Sequence, residues 1–174
     1  MAFLNDSELS YTISDKLETA LQHVMEQVLK KNDTATYRTV YAAYNPSTYE
    51  ETGDFGEAWD IRTASGQKFA EGEFYFEPSV ISVNPNADPP QHADIDGNSV
   101  AEHMADLIYD SGMGCIYRPT NRNAWKVVDI WLSDAKLSKL FETGMNKAGL
   151  KWIKTGGIIQ KDADGITLNI RNFL

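Results

Sequence analysis

The clearest pattern in the chain lies near its start. Apolar residues recur at Ile13, Leu17, Leu21, Val24 and Val28, in steps of three and four, and this spacing predicts an amphipathic helix over 13–31. Thr12 with Asp15 is its expected N-terminal cap. Lys30 and Lys31 suit the negative end of the helix dipole, and Asn32 is the expected stop. Residues 36–43 (TYRTVYAA) are rich in β-branched and aromatic side chains and predict a short strand, broken by Asn45-Pro46-Ser47. Residues 47–62 read as an irregular segment feeding a strand near 58–63. A further strand is expected over 70–77, bounded by Pro78 and resumed after a kink at 80–83. Pro85, Pro89 and Pro90 with Gly97 keep 84–98 from forming regular structure, so it is expected as a long loop.

Ser99 and Glu102 have capping-box spacing, and Val100, Met104, Leu107 and Ile108 form one apolar face, so a second helix is expected there. Ser111 to Gly114 ends it. After a polar connector, Trp125, Val128, Trp131 and Leu132 open a third helix near Ala124, continued by Leu137, Leu140, Phe141 and Met145. Ser133-Asp134 is a kink or break in it, and Gly149 its stop. Residues 156–174 predict a C-terminal hairpin, with strands at 157–160 and 166–170 around a turn at 161–165. The sum is an α+β fold, a single domain over 1–174, in which a mostly antiparallel sheet packs with a long N-terminal helix and two further helices.

Composition narrows the function classes. The 174 residues are 42% hydrophobic and 11% aromatic, which predicts a packed core rather than disorder. The net charge is −9, from 25 acidic and 16 basic residues. Gripping a nucleic-acid backbone needs clustered Lys and Arg, so this balance argues against such a role. Acidity of this kind serves solubility. The sole cysteine, Cys115, excludes an intrachain disulfide and fits a reducing cytoplasm. Met1 to Ser10 lacks a signal-peptide pattern, and no stretch approaches the ~20 apolar residues of a membrane span; no membrane association is expected.

Catalytic chemistry finds little support. Nothing couples Cys115 to His23, His92 or His103 as nucleophile and base; Cys115 reads as a small buried filler, and His23 as a solvated or edge residue of the first helix. His92, Asp94 and Asp96 before Gly97 resemble the start of a calcium loop, yet His92 and His103 stand where an acidic residue and a glutamate belong. His92, Asp94 and His103 would suit a transition metal and a metal-dependent hydrolase. The competing reading is a turn, with Asp96-Gly97 supplying a positive backbone angle and Asn98 or Ser99 capping the next helix. Asp162 and Asp164 before Gly165 are the chemistry of a hairpin turn. Glu50, Glu51, Asp54 and Glu57 cluster without a sugar groove to serve. No phosphate-binding loop is present, and Arg118, Arg122 and Lys126 make a weak basic patch. No cofactor, metal or catalytic residue is expected.

One stretch carries a resemblance. After the long helix and short strand comes Tyr44-Asn45-Pro46-Ser47-Thr48-Tyr49-Glu50-Glu51-Thr52-Gly53-Asp54-Phe55. Its Tyr44, Pro46, Tyr49, Thr52, Gly53 and Phe55 are similar to a Tyr, Pro, aromatic, Thr-Gly, hydrophobic pattern in the head–tail joining (neck or tail-completion) proteins of long-tailed bacteriophages. The usual basic residue before Thr-Gly is Glu51 here. The later helix to Gly114 and the segment Arg118 to Trp125 keep the same order, so the resemblance covers about 13–149. It implies a non-enzymatic virion protein of the neck, made in the host cytoplasm and assembled as a six- or twelve-fold ring. Its partners would be portal, connector or tail-tube proteins, with DNA passing through without sequence-specific binding. An acidic channel wall would let DNA slide. Pro85, Pro89, Pro90, Arg118, Arg122 and the terminal hairpin are the candidate assembly contacts. A tail terminator or minor capsid protein is the related alternative, and a small adaptor binding a host protein through the Pro-rich loop another.

Overall fold

The structure is a computed structural model that describes residues 6–42, 53–86, 92–93, 96–103, 124–151, 158–162 and 165–171. The fold is α+β: a long N-terminal helix, antiparallel hairpins and further helices. Helix α1 runs Asp6–Thr36 and continues as a single π-turn, Tyr37–Tyr41. A short helix α2, Asp54–Glu57, precedes strands β1, Trp59–Gly66, and β2, Phe69–Phe76. Helices α3, Ala124–Trp131, and α4, Asp134–Lys147, lead to β3, Ile158–Asp162, and β4, Gly165–Arg171. The sheet order is β1-β2-β4-β3. β1 and β2 are joined by only Gln67 and Lys68, which requires an antiparallel pair; Lys68 takes the left-handed angle of that turn, φ +64°. β3 and β4 pair antiparallel from Ile158 opposite Asn169 to Asp162 opposite Gly165. The terminal hairpin is therefore present, its strands running to Asp162 and from Gly165, within the turn expected at 161–165.

Two compact units form. The first combines residues up to Leu29 with Ile61–Phe74 and the chain from Trp131 onward. Its core is the apolar stripe of α1: Leu17, Ala20, Leu21, Val24, Met25 and Val28 are at most 4% exposed. Each of these side chains except Ala20 contributes roughly 1.5–3 kcal/mol on burial. Leu21 and Met25 press on Gly72 of β2, and the backbone of Ala20 presses on Gly144 of α4. The alternation of β2, with Ala70, Gly72 and Phe74 buried, turns this face inward. On the inward side of β1, Thr63 donates to Glu18 and Gln22 (both 3.2 Å), and Ser65 donates to Glu18. The buried Ser14 hydroxyl reaches Gly66 O. On the outer side Arg62 pairs with Glu73 at 2.5 Å. The expected break at Ser133-Asp134 is real: Ser133 caps α4, its side chain accepting from Lys136 N. Gly149 ends that helix at φ +73°, and Leu150 N donates to Met145 O.

The second unit combines Lys30–Asp60 with Tyr75–Ile130. Several expectations fail in and beside it. Helix α1 starts before Thr12, whose hydroxyl donates to Glu8 O inside the helix instead of capping it. The helix also runs past Asn32, which is fully buried. The strand expected over 36–43 is replaced, within 36–42, by the last residue of α1 and the π-turn. The reason is burial: Ala35 and Thr36 extend the buried stripe by two more turns, and tertiary packing of that stripe outweighs the β-preference of the local sequence. The strand expected to resume over 80–83 does not form: Val80 closes a 3-10 turn, Pro78–Val80, with the Glu77 side chain accepting from Ser79 N, and 81–83 follow as irregular backbone. Of the second helix, only the 3-10 turn Ala101–His103 falls among the described residues.

Candidate functional site

The end of the neck-like stretch is the best-defined polar and aromatic cluster in the second unit. It begins with the π-turn, which carries Tyr41 past the end of α1. The Tyr41 hydroxyl donates to Gly53 O at 2.7 Å and accepts from Gly56 N at 2.9 Å. One phenol thus bridges both ends of the α2 turn, which are also bonded to each other, Gly56 N donating to Gly53 O at 2.9 Å. A Cβ on Gly56 would meet the Tyr41 ring at 3.4 Å and the Thr36 methyl at 3.8 Å, ordinary contact distances. Gly53 opens α2 at φ +85°, a left-handed angle that costs a residue with Cβ about 1 kcal/mol. Space is not the constraint, because a Cβ there would meet nothing within 4 Å.

Phe55 is the apolar anchor of the turn, 5% exposed. Its ring stands edge-on to Trp59, with centroids 6.1 Å apart and planes at 87°, and 5.5 Å from Phe76. Trp59 and Phe76 close the triangle at 5.2 Å. Such pairs add about 0.5–1.5 kcal/mol each beyond their burial. Asp54 accepts from Ser82 N at 2.7 Å, which ties α2 to the chain after the Pro78–Val80 turn. Gly53 and Phe55 therefore have physical roles as turn and anchor. Tyr44, Pro46, Tyr49 and Thr52 lie outside the described residues, as do Glu50 and Glu51.

The possible metal ligands are placed separately. His92 is half-buried at φ +51°, and its Nδ1–H donates to Ser82 O at 2.7 Å, which fixes Nε2 as the acceptor nitrogen. His103 is exposed at the end of its 3-10 turn, and Asp94 lies outside the described residues. Among the described residues, no group of three or more His, Cys, Asp or Glu side chains is positioned to hold a metal ion. The turn reading of this segment holds: Gly97 has φ +83°, Ala93 bridges Ser99, and Ser99 Oγ accepts from Ala101 N at 3.2 Å. Pro85 is exposed in the first bend of the loop. Pro89, Pro90, Cys115, Arg118 and Arg122 fall outside the described residues.

His23 belongs to the first unit. Its Nδ1 accepts from Lys147 Nζ at 3.1 Å. Partial burial, then the Lys147 charge, lower its pKa, and Glu26 opposes the shift. Sequence reasoning missed Tyr41, read as part of a strand. It also missed Asn32 and Thr36, which continue the helical steps of Val24 and Val28 and so were legible as inward-facing.

No significant match to the chain is found among family models, curated proteins or solved structures.

Proposed function

We propose that the chain is a non-enzymatic structural protein of the phage head–tail connector, a neck or tail-completion protein that forms a ring around the passing DNA. The observation that carries this reading is the Tyr44–Phe55 pattern in its place after a long N-terminal helix. Its described end gives the pattern physical sense. Gly53 makes the left-handed turn that opens α2, and Phe55 drives the turn into the aromatic core. The net charge of −9 suits a protein that lets DNA slide by repelling phosphate rather than holding it. The same turn ties together the helix end, the start of β1 and the segment after β2. A closed ring needs two different faces per subunit, and the segments around Pro85, Pro89 and Pro90 and around Arg118 and Arg122 are the proposed contacts.

Light-scattering mass measurement, on the protein alone and mixed with the portal assembly of its phage, tests the proposal. A closed oligomer alone, or one formed on the portal, is the expected result. A monomer under both conditions would overturn it.

A further inference from the structure

Asn32 and Thr36 are exceptions within α1. They are 0% and 1% exposed, yet neither polar atom of the Asn32 amide nor the Thr36 hydroxyl has a hydrogen-bond partner among the described residues. Thr12, Thr19 and Thr34 each donate to the carbonyl four residues earlier, so the helix does offer acceptors to its threonines. One residue after Thr36 the helix changes register to the π-turn Tyr37–Tyr41, a geometry found mostly as single turns at functional sites. The same stretch, TYRTVYAA, has the composition of a strand. Buried polar atoms without partners, an irregular helical register and a contrary local preference thus coincide within ten residues. Conflict between levels of this kind concentrates at functional or strained sites.

We propose that Asn32–Tyr41 is a conformational switch that opens as one unit while the Leu17–Val28 part of α1 stays closed. In the open form the Asn32 amide and the Thr36 hydroxyl regain water. The β-branched and aromatic run is then free to take the extended form its sequence favours. Closing is secured by the Tyr41 hydroxyl on Gly53 O and Gly56 N and by the packing of Ala35. The switch stands apart from the connector reading, because it is a property of the free chain.

Native-state hydrogen exchange on the full chain tests it without a partner. The amides of 33–41 are expected to exchange at one common rate, at least about tenfold faster than those of 20–28. Thr36→Val, nearly isosteric, and Asn32→Leu remove the unsatisfied groups and should slow 33–41 about tenfold while leaving 20–28 unchanged. Thr36→Val alone decides the matter where Asn32→Leu does not fold. Equal protection of the two stretches, rates graded inward from Tyr41 as in simple fraying, or exchange unchanged by Thr36→Val would each overturn the proposal.

Discussion

The packing of α1 on α4 turns on one residue with no side chain. A Cβ built on Gly144 falls 2.6 Å from Ala20 O and 3.1 Å from Ala20 Cα, and both obstacles are backbone. Ordinary contact begins near 3.4 Å, so Gly144→Ala must part the two helices by roughly 0.8 Å. A gap of that size forfeits a quarter to a half of the dispersion energy of the atoms it separates. Overpacking of this kind costs about 1–3 kcal/mol. Against it stands the gain of Ala over Gly in a helix interior, about 1 kcal/mol. The clash should win, because backbone cannot rotate away as a side chain can. The expected net loss is up to about 2 kcal/mol, a fall in Tm of up to about 8 °C for a chain of this size. Urea unfolding followed by tryptophan fluorescence measures it as a lower midpoint at unchanged slope. A midpoint equal to or above that of the parent protein would refute the close approach of α1 and α4.

Tyr41→Phe removes the hydroxyl bonded to Gly53 O and Gly56 N, which remain bonded to each other at 2.9 Å, and should cost about 0.5–1.5 kcal/mol, read in the same urea titration. Gly53→Ala should cost about 1 kcal/mol through backbone strain alone, and Gly53→Asn should cost less, since Asn tolerates the left-handed region. His23 carries a lowered pKa in the fold, so between its ordinary value of 6.5 and the folded value the unfolded chain binds the extra proton. Stability from this site is full above about pH 6.5 and declines as pH falls through that window; His23→Gln should flatten the unfolding midpoint against pH between 7 and 5.

Where a pattern was strong and local, the sequence was readable. The stripe from Leu17 to Val28, the strands ending at Phe76 and at Arg171, the break at Ser133-Asp134 and the stop at Gly149 all arise from spacing and turn chemistry. Failures cluster where packing overrules a local preference. Asn32 looks like a helix stop, but its neighbours Val28 and Ala35 are buried, and the helix carries it inward with them. TYRTVYAA looks like a strand, but Thr36 stands in register with the buried stripe, so its first residues are drawn into helix and π-turn. The Tyr41 clamp was not legible because its partners are backbone atoms of Gly53 and Gly56, which leave no mark in residue type. Gly53 itself was visible as part of the neck-like pattern; its role as a left-handed turn needed the backbone angle. For His92, turn chemistry was the correct guide to the backbone, and its ring lies on Ser82 O.

The proposed connector function is tested most directly by negative-stain images of long-tailed phage particles assembled in the presence of the chain labelled at its terminus. The connector reading predicts label confined to a ring between head and tail. Label on the tail shaft, over the capsid, or absent from intact virions would contradict it.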